Sequence, residues 1–273
     1  MPEGDTVLVV ARRLHQALAG EKLLRTDFRV PRFATVDLAG QLVESVASRG
    51  KHLLMRTDQG VTIHSHLRMD GAWHLYRSGE KWRGPGFQVR AVLETKPWLV
   101  VGFRLGRLDV IKTEREGSLL AQLGPDVLGP DWDATEVLRR LGAQPEREIG
   151  SALLDQRTIA GPGNIYKSEA CFLHGVDPFT RVGEVADLEG LVTLLKGLME
   201  ANRGIGRQIT TGDNRPGRGR WVAGRAGQPC RRCGTAIRSA EQESYGAERI
   251  TYWCPACQAR SAGGSLASQS NVP

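Results

Sequence analysis

CRRCGTAIRSAEQESYGAERITYWCPAC, residues 230–257, carries two CxxC pairs, Cys230/Cys233 and Cys254/Cys257, with twenty residues between them. Each pair sets two thiolates on one tight turn, and two such turns supply the four soft ligands that suit tetrahedral zinc. Four protein ligands leave no coordination position open, so a single structural Zn2+ is expected, not a catalytic one. A segment this short has too little core to fold alone, and the metal is expected to supply much of its folding free energy. The residues between the pairs, Ile237 to Trp253, read as a β-hairpin, which makes the segment a zinc ribbon. The fifth cysteine, Cys171, sits in an apolar helical setting and reads as a small buried hydrophobe.

Upstream of the ribbon, Arg203 to Arg232 holds eight arginines and one acid, Asp213. A solvated basic surface would show the same composition. Arginine rather than lysine favours phosphate, because the guanidinium fork pairs with phosphate oxygens bidentately. The whole chain of 273 residues has net charge +7 and an isoelectric point near 9.4, which points to a polyanionic partner. Gly204 to Gly227 is Gly/Arg-rich and reads as loop.

Further upstream the periodicity is helical: 134–141, 148–155, 163–174 and 187–202, the last with Asp187 as N-cap and a Leu-rich apolar face. The turn-rich stretch Gly124 to Asp131 separates these helices from a region of short β-branched segments, near 42–48, 51–57, 61–67, 87–94, 98–103 and 107–112. Such spacing predicts an antiparallel sandwich. Residues 2–19 read as a leading helix, with Val7, Val10, Leu14 and Leu18 at helical spacing. The expected organisation is an α+β multidomain chain. It has an N-terminal helix plus β-sandwich (1–115), a linker (116–130), a helical domain (131–215), the ribbon with its preceding Arg-rich loop (216–260) and a disordered tail (261–273). No apolar run is long enough to span a membrane, and MPEGD lacks the order of a secretory signal, so a cytoplasmic protein is expected.

The N-terminus admits two readings. Pro2 and Glu3 suit the first turn of any helix. Removal of Met1 would also expose a secondary amine that is partly neutral near pH 7. A secondary amine attacking a sugar C1′ gives an iminium that has no N–H proton to lose, and Glu3 lies beside it to move protons. Lys51, taken alone, is a solvent-facing strand-edge charge.

Several segments together resemble the formamidopyrimidine-DNA glycosylase and endonuclease VIII family. Pro2-Glu3-Gly4 is similar to the endonuclease VIII start. Arg49 to Leu54 (RGKHLL) resembles the family strand with a functional lysine, and His66 to Ala72 (HLRMDGA) the segment with a base-replacing methionine. Gly161 to Glu169 (GPGNIYKSE) is similar to the helix-two-turn-helix signature, and Arg249 to Gln258 (RITYWCPACQ) to the ribbon hairpin. The resemblance covers nearly the whole chain. It implies a helix-two-turn-helix domain and a monomeric, bacterial, nucleoid-associated repair enzyme of the actinobacterial type acting on damaged DNA, duplex or single-stranded. In it Pro2 is the Schiff-base nucleophile and Glu3 the general acid/base. Lys51 aids β-elimination and holds phosphate, Met69 fills the space of the everted base, Asn164 holds a phosphate, and Arg249 reaches into the DNA for δ-elimination.

Two departures bear on substrate. Val100 to Arg107 lacks the pattern that wedges the opposite strand in the oxidised-purine enzymes; Phe103 and Arg104 are the residues there that could substitute, but strand packing is the expected role for them. The loop 207–225 does not resemble the 8-oxoguanine lid. Both favour the endonuclease VIII branch and oxidised pyrimidines. The alternatives are an oxidised-purine glycosylase and a non-catalytic protein that binds lesion DNA.

DNA affinity should fall steeply with salt, with a log–log slope of roughly −0.9 per phosphate neutralised. Filter binding or anisotropy from low to high salt measures it, and a flat response would remove the basic-surface reading.

Overall fold

The computed structural model describes residues 2–244 and 247–259. The expected disordered tail, 261–273, lies outside the described residues. Helix α1 spans Gly4–Leu18, and its Val7, Ala11, Leu14 and Leu18 are buried against two antiparallel sheets. Eight strands build those sheets: β1 (Arg25–Phe28), β2 (Val43–Arg49), β3 (His52–Thr57), β4 (Val61–His66), β5 (Ala72–Arg77), β6 (Val89–Glu94), β7 (Trp98–Phe103) and β8 (Arg107–Lys112). One sheet has the order β1-β6-β7-β5, the other β2-β3-β4-β8. Their inward residues, among them Leu53, Met55, Ile63, Leu93 and Val100, form one core with α1. Outward residues alternate with these along each strand, as a two-layer β architecture requires.

The sequence pattern missed β1 and β5. β1 is four residues of mixed polarity, Arg-Thr-Asp-Phe, and it exists because it pairs with β6 in register from Arg25↔Glu94 to Phe28↔Ala91. β5 follows the Met69 turn, and only Trp73 of its six residues is buried. A short helix α2 (Glu116–Leu120) was also unforeseen. Its Glu116 takes a bidentate pair from Arg56 and so fastens the helix to β3.

A second core gathers four helices, α3 (Ala134–Gly142), α4 (Ile149–Leu154), α5 (Asn164–His174) and α6 (Leu188–Ala201). Asp133 and Asp187 cap α3 and α6 by accepting the Glu136 and Gly190 amides at 3.0 and 2.8 Å. Cys171 is fully buried in this core, and burial pushes its thiol up to about 12, as befits an inert packing residue. The ribbon hairpin follows, β9 (Arg238–Ser244) and β10 (Ala247–Trp253), antiparallel in register from Arg238↔Trp253 to Ser244↔Ala247. No helix among the described residues is long and apolar enough to cross a membrane.

The start of α1 departs from expectation. The helix begins at Gly4, and Glu3 is extended (φ −115°, ψ −176°) with no side-chain bond to its own helix. Two contacts hold the chain out of helix there. The Gly4 amide donates to the Gly161 carbonyl at 2.9 Å, and a Cβ on Gly4 would lie 2.9 Å from the Gly161 Cα. Glycine is therefore required at Gly4 by the close approach of two backbones.

Candidate active site and metal centre

Glu3 is completely buried, and its carboxylate sits on the N-terminus of α5. Oε2 accepts the Gly163 amide at 2.7 Å, and Oε1 accepts the Ile165 amide at 2.8 Å. These are amides that a helix start leaves without intrahelical partners. A carboxylate from 160 residues away caps α5. Burial raises the pKa of Glu3, while Lys51 and the two amides oppose the rise. The group can therefore keep a proton at a higher pH than an ordinary carboxyl, which suits a general acid.

Lys51 reaches the same place from the other sheet. The turn Arg49-Gly50-Lys51 docks on the segments that precede the helices. Asp126 accepts the Gly50 amide at 2.7 Å, and Arg49 pairs with Asp131 at 2.5 Å. Gly50 has φ +55° and lies against Ala160, so this turn is glycine's by conformation. Lys51 is half-buried, and its Nζ donates to the Pro162 carbonyl at 2.6 Å. Burial lowers its pKa to about 8; Glu3 raises it in part and Arg249 lowers it. A lysine so placed exchanges its proton near neutrality.

Arg249 approaches from β10, and its Nη1 lies 3.9 Å from the Met69 Sδ. Met69 stands 52% exposed on a tight turn in which Arg68 has φ +52° and the Gly71 amide donates to the Leu67 carbonyl. An exposed thioether on a strained turn is not a core methionine. Pro2 is half-buried beside Glu3. Residues distant in sequence thus converge: Pro2 and Glu3 beside the start of α5, with Lys51, Asn164 and Arg249 around it and Met69 against Arg249.

Gly163 is the N-cap residue of α5, and the Asn164 Nδ2 donates to the Ile250 carbonyl at 2.7 Å. Its Oδ1 is buried with no partner among the described residues. The carboxylate of Glu3 already occupies the α5 N-terminus. Phe103 is 5% exposed and packs with Val89 and Val101, the strand packing expected of it, while Arg104 sits at φ +46° on an exposed turn. In the Arg-rich loop Arg225 is an interior residue that donates to the Trp221 and Pro229 carbonyls.

Sequence reasoning overlooked the residues that hold the site without touching it. Asp126 lay inside a stretch read only as a boundary turn. Tyr166 donates to Asp5 at 2.9 Å, and Gln208 donates to Thr6 at 3.0 Å, tying the Arg-rich loop to α1. Glu169 accepts the amides of Trp221, Val222 and Ala223, each at 2.8 Å, and fixes the loop's far end. A buried carboxylate two residues after a lysine in GPGNIYKSE gave no periodic signal.

The four ribbon cysteines bring their Sγ atoms within 4.8 Å of one another, with Cys230–Cys257 at 3.9 Å and Cys233–Cys254 at 3.5 Å. Zinc–thiolate bonds of about 2.3 Å in a tetrahedron require sulfurs about 3.8 Å apart, so the donor set fits one zinc. The cluster packs with Phe172, Val222 and Ile237, and Arg232 lies 4.6 Å over the Phe172 ring.

Three family profiles match the chain: the formamidopyrimidine-DNA glycosylase N-terminal domain over residues 1–109, the formamidopyrimidine-DNA glycosylase H2TH domain over 123–205, and the zinc finger found in FPG and IleRS over 227–260. A probable endonuclease 8 2 of Streptomyces coelicolor is 55% identical over 262 residues, covering 95% of this chain and 94% of that protein. A DNA-(apurinic or apyrimidinic site) lyase of Mycolicibacterium smegmatis is 48% identical over 96% of this chain and 100% of its own length. Among solved structures, a complex of Lactococcus lactis Fpg with abasic-site DNA superposes with TM-score 0.80 at 22% identity, covering 95% of this chain and 100% of that one. At that identity it shows the fold alone.

Replacing Cys254 by Ser, or stripping the metal with a chelator, should unfold the ribbon and abolish DNA binding while the α1–β8 core stays folded. Zinc content, circular dichroism and a gel shift check this, and undiminished binding in zinc-free protein would contradict it.

Proposed function

The chain belongs to the formamidopyrimidine-DNA glycosylase and endonuclease VIII family, and from that premise we propose that it is a base excision repair DNA glycosylase with lyase activity, working through an imine on Pro2. The observation that carries this reading is the carboxylate of Glu3 held by α5 next to Pro2, with Lys51 close enough to shift its charge state. The substrate is damaged DNA, and oxidised pyrimidines are the preferred lesions.

A base inside the duplex cannot be attacked, so it is everted at a cost of a few kcal/mol. Met69 fills the vacated space and offsets part of that cost. The nitrogen of Pro2, freed from Met1, then bonds to C1′. The C1′–base bond breaks with its electron pair going to the base, which takes up a proton. The sugar ring opens as O4′ accepts the proton carried by Glu3 and the amine sheds its own, leaving a cationic iminium. Loss of a C2′ proton breaks the C3′–O3′ bond and frees a phosphate, with Lys51 as base or phosphate partner. Loss of the C4′ proton then breaks the C5′–O5′ bond, and Arg249 holds the departing phosphate. Water releases the sugar fragment and restores the amine. Asn164, with an unpaired Oδ1 and a movable amide, anchors a phosphate after giving up Ile250. Bound zinc supplies folding energy to the ribbon that carries Arg249 and takes no part in the bond changes.

The pyrimidine preference rests on two features. The segment 100–107 offers no aromatic wedge, because Phe103 is packed in the core. The relatives of high identity are named endonuclease 8 or lyase.

Borohydride reduction during reaction with abasic DNA, followed by peptide mass mapping, should find the sugar remnant on Pro2; a link elsewhere, or none, would refute the imine reading. A panel of thymine glycol, 5-hydroxyuracil and 8-oxoguanine tests the branch, and faster release of 8-oxoguanine would overturn it. Gly163→Ala would place a Cβ 2.5 Å from the Glu3 Cδ. Displacing that carboxylate by about 1 Å should cost about 10²-fold in turnover, with zinc and DNA binding retained; unchanged turnover would detach Glu3 from the chemistry.

A further inference from the structure

Lys167 is fully buried, the fourth residue of α5 and one turn beyond the Gly163 amide that holds Glu3. Its Nζ donates to the Thr251 Oγ1 at 2.5 Å and to the Gln242 Oε1 at 3.3 Å. Neither acceptor is a carboxylate. Burial lowers its pKa to about 8, with Cys171, Glu3 and Glu148 working the other way. A buried ammonium held only by neutral acceptors is a costly choice for packing, where a methionine would fill the same space without desolvation.

Its two acceptors lie on the two strands of the ribbon hairpin, both beside Arg249. Gln242 of β9 is the cross-strand partner of Arg249. Thr251 is two residues along β10, so it shares a sheet face with Arg249. Gln242 is itself saturated. Its Nε2 donates to Glu148 at 2.8 Å and to the Pro178 carbonyl at 2.9 Å, and its Oε1 also accepts from Thr251 at 2.9 Å. Gly150 permits this approach, since a Cβ there would lie 2.4 Å from the Gln242 Oε1. One helix therefore holds Glu3 at its N-terminus and grips the inward face of the Arg249 hairpin one turn later.

We propose that Lys167 is a positioning residue that sets Arg249 against the Glu3–Lys51 centre, and that it thereby governs the second cut, δ-elimination, rather than base removal. Arg249 is half-exposed on a two-stranded ribbon, and its guanidinium must meet the phosphate that leaves when the C5′–O5′ bond breaks. The Asn164–Ile250 bond cannot fix the hairpin during this step, because Asn164 is needed by the DNA. The Lys167 network is buried and stays when that bond is released. The inference deepens the proposed function and rests on it.

The test compares wild type with Lys167→Met and Thr251→Val on duplex DNA bearing an abasic site and labelled 5′ to it. Three quantities are measured: borohydride-trapped adduct, the ratio of δ to β products, and Tm with zinc content. The Lys167→Met protein should form adduct at the wild-type rate, keep its zinc and keep or raise its Tm. Its δ-to-β ratio should fall about tenfold, because Arg249 is displaced by a fraction of an ångström or more. Thr251→Val, which leaves the lysine in place, should lower the ratio in the same direction and decides the matter if the methionine variant does not fold. A folded variant with the wild-type ratio overturns the assignment of Lys167, whatever its Tm. Wild-type protein that yields no adduct overturns the imine reading itself, which separates the two failures.

Discussion

The carboxylate of Glu3 on the amides of Gly163 and Ile165 joins the two cores of this protein. One end of the interaction begins α1 and so belongs to the β-rich core; the other begins α5 at the centre of the helical core. It satisfies amides that would otherwise face the cleft unpaired, and each buried unsatisfied group of that kind costs about 1–3 kcal/mol. The same bonds stabilise the carboxylate's charge while burial opposes it. The balance leaves a carboxyl that holds its proton to a higher pH than an ordinary one. Joining the cores and tuning the acid are thus the work of one interaction.

The glycines around this joint follow from it. Gly4 excludes a Cβ because it lies against the Gly161 backbone, Gly163 because the Glu3 side chain lies over it, and Gly50 lets the Lys51 turn lie against Ala160. Asp126 then fixes that turn from the helical side, and burial raises its pKa although the Gly50 and Leu128 amides oppose the rise. Three short glycine-bearing segments, near 4, 50 and 161–163, are thus packed backbone to backbone. The side chains that do chemistry stand at the rims of these contacts.

How much of this could be read beforehand depended on range. The ribbon was legible because metal ligands carry their geometry in their spacing: two CxxC pairs and a hairpin between them leave little freedom. Helices with one apolar face, such as α6, were legible for the same local reason. β1 and β5 were not, since their residues become strand only through β6 and β7 partners. The functional side chains were legible as types, through their resemblance to a family. The reason they work together was hidden, because contacts such as Glu3–Ile165, Lys51–Pro162 and Arg249–Met69 join residues that no periodicity relates. Arg225 shows the opposite error: composition placed it with the phosphate-binding arginines, and packing placed it inside.

The contact of Arg249 with Met69 bears on how the cleft meets DNA. A guanidinium beside a thioether is a weak bond, and both side chains have tasks that this contact prevents. In the proposed mechanism Met69 enters the base stack and Arg249 meets a phosphate. Asn164, spent on the Ile250 carbonyl, is in the same position. In that mechanism the cleft holds its DNA-directed groups on internal partners that phosphates and bases replace. Lys51 on the Pro162 carbonyl and Glu3 on α5 are held more firmly, and they are the groups whose protonation must already be set when the sugar arrives. A site divided in this way can admit the duplex by local exchange of partners at its rim while the acid and amine at its floor stay in register.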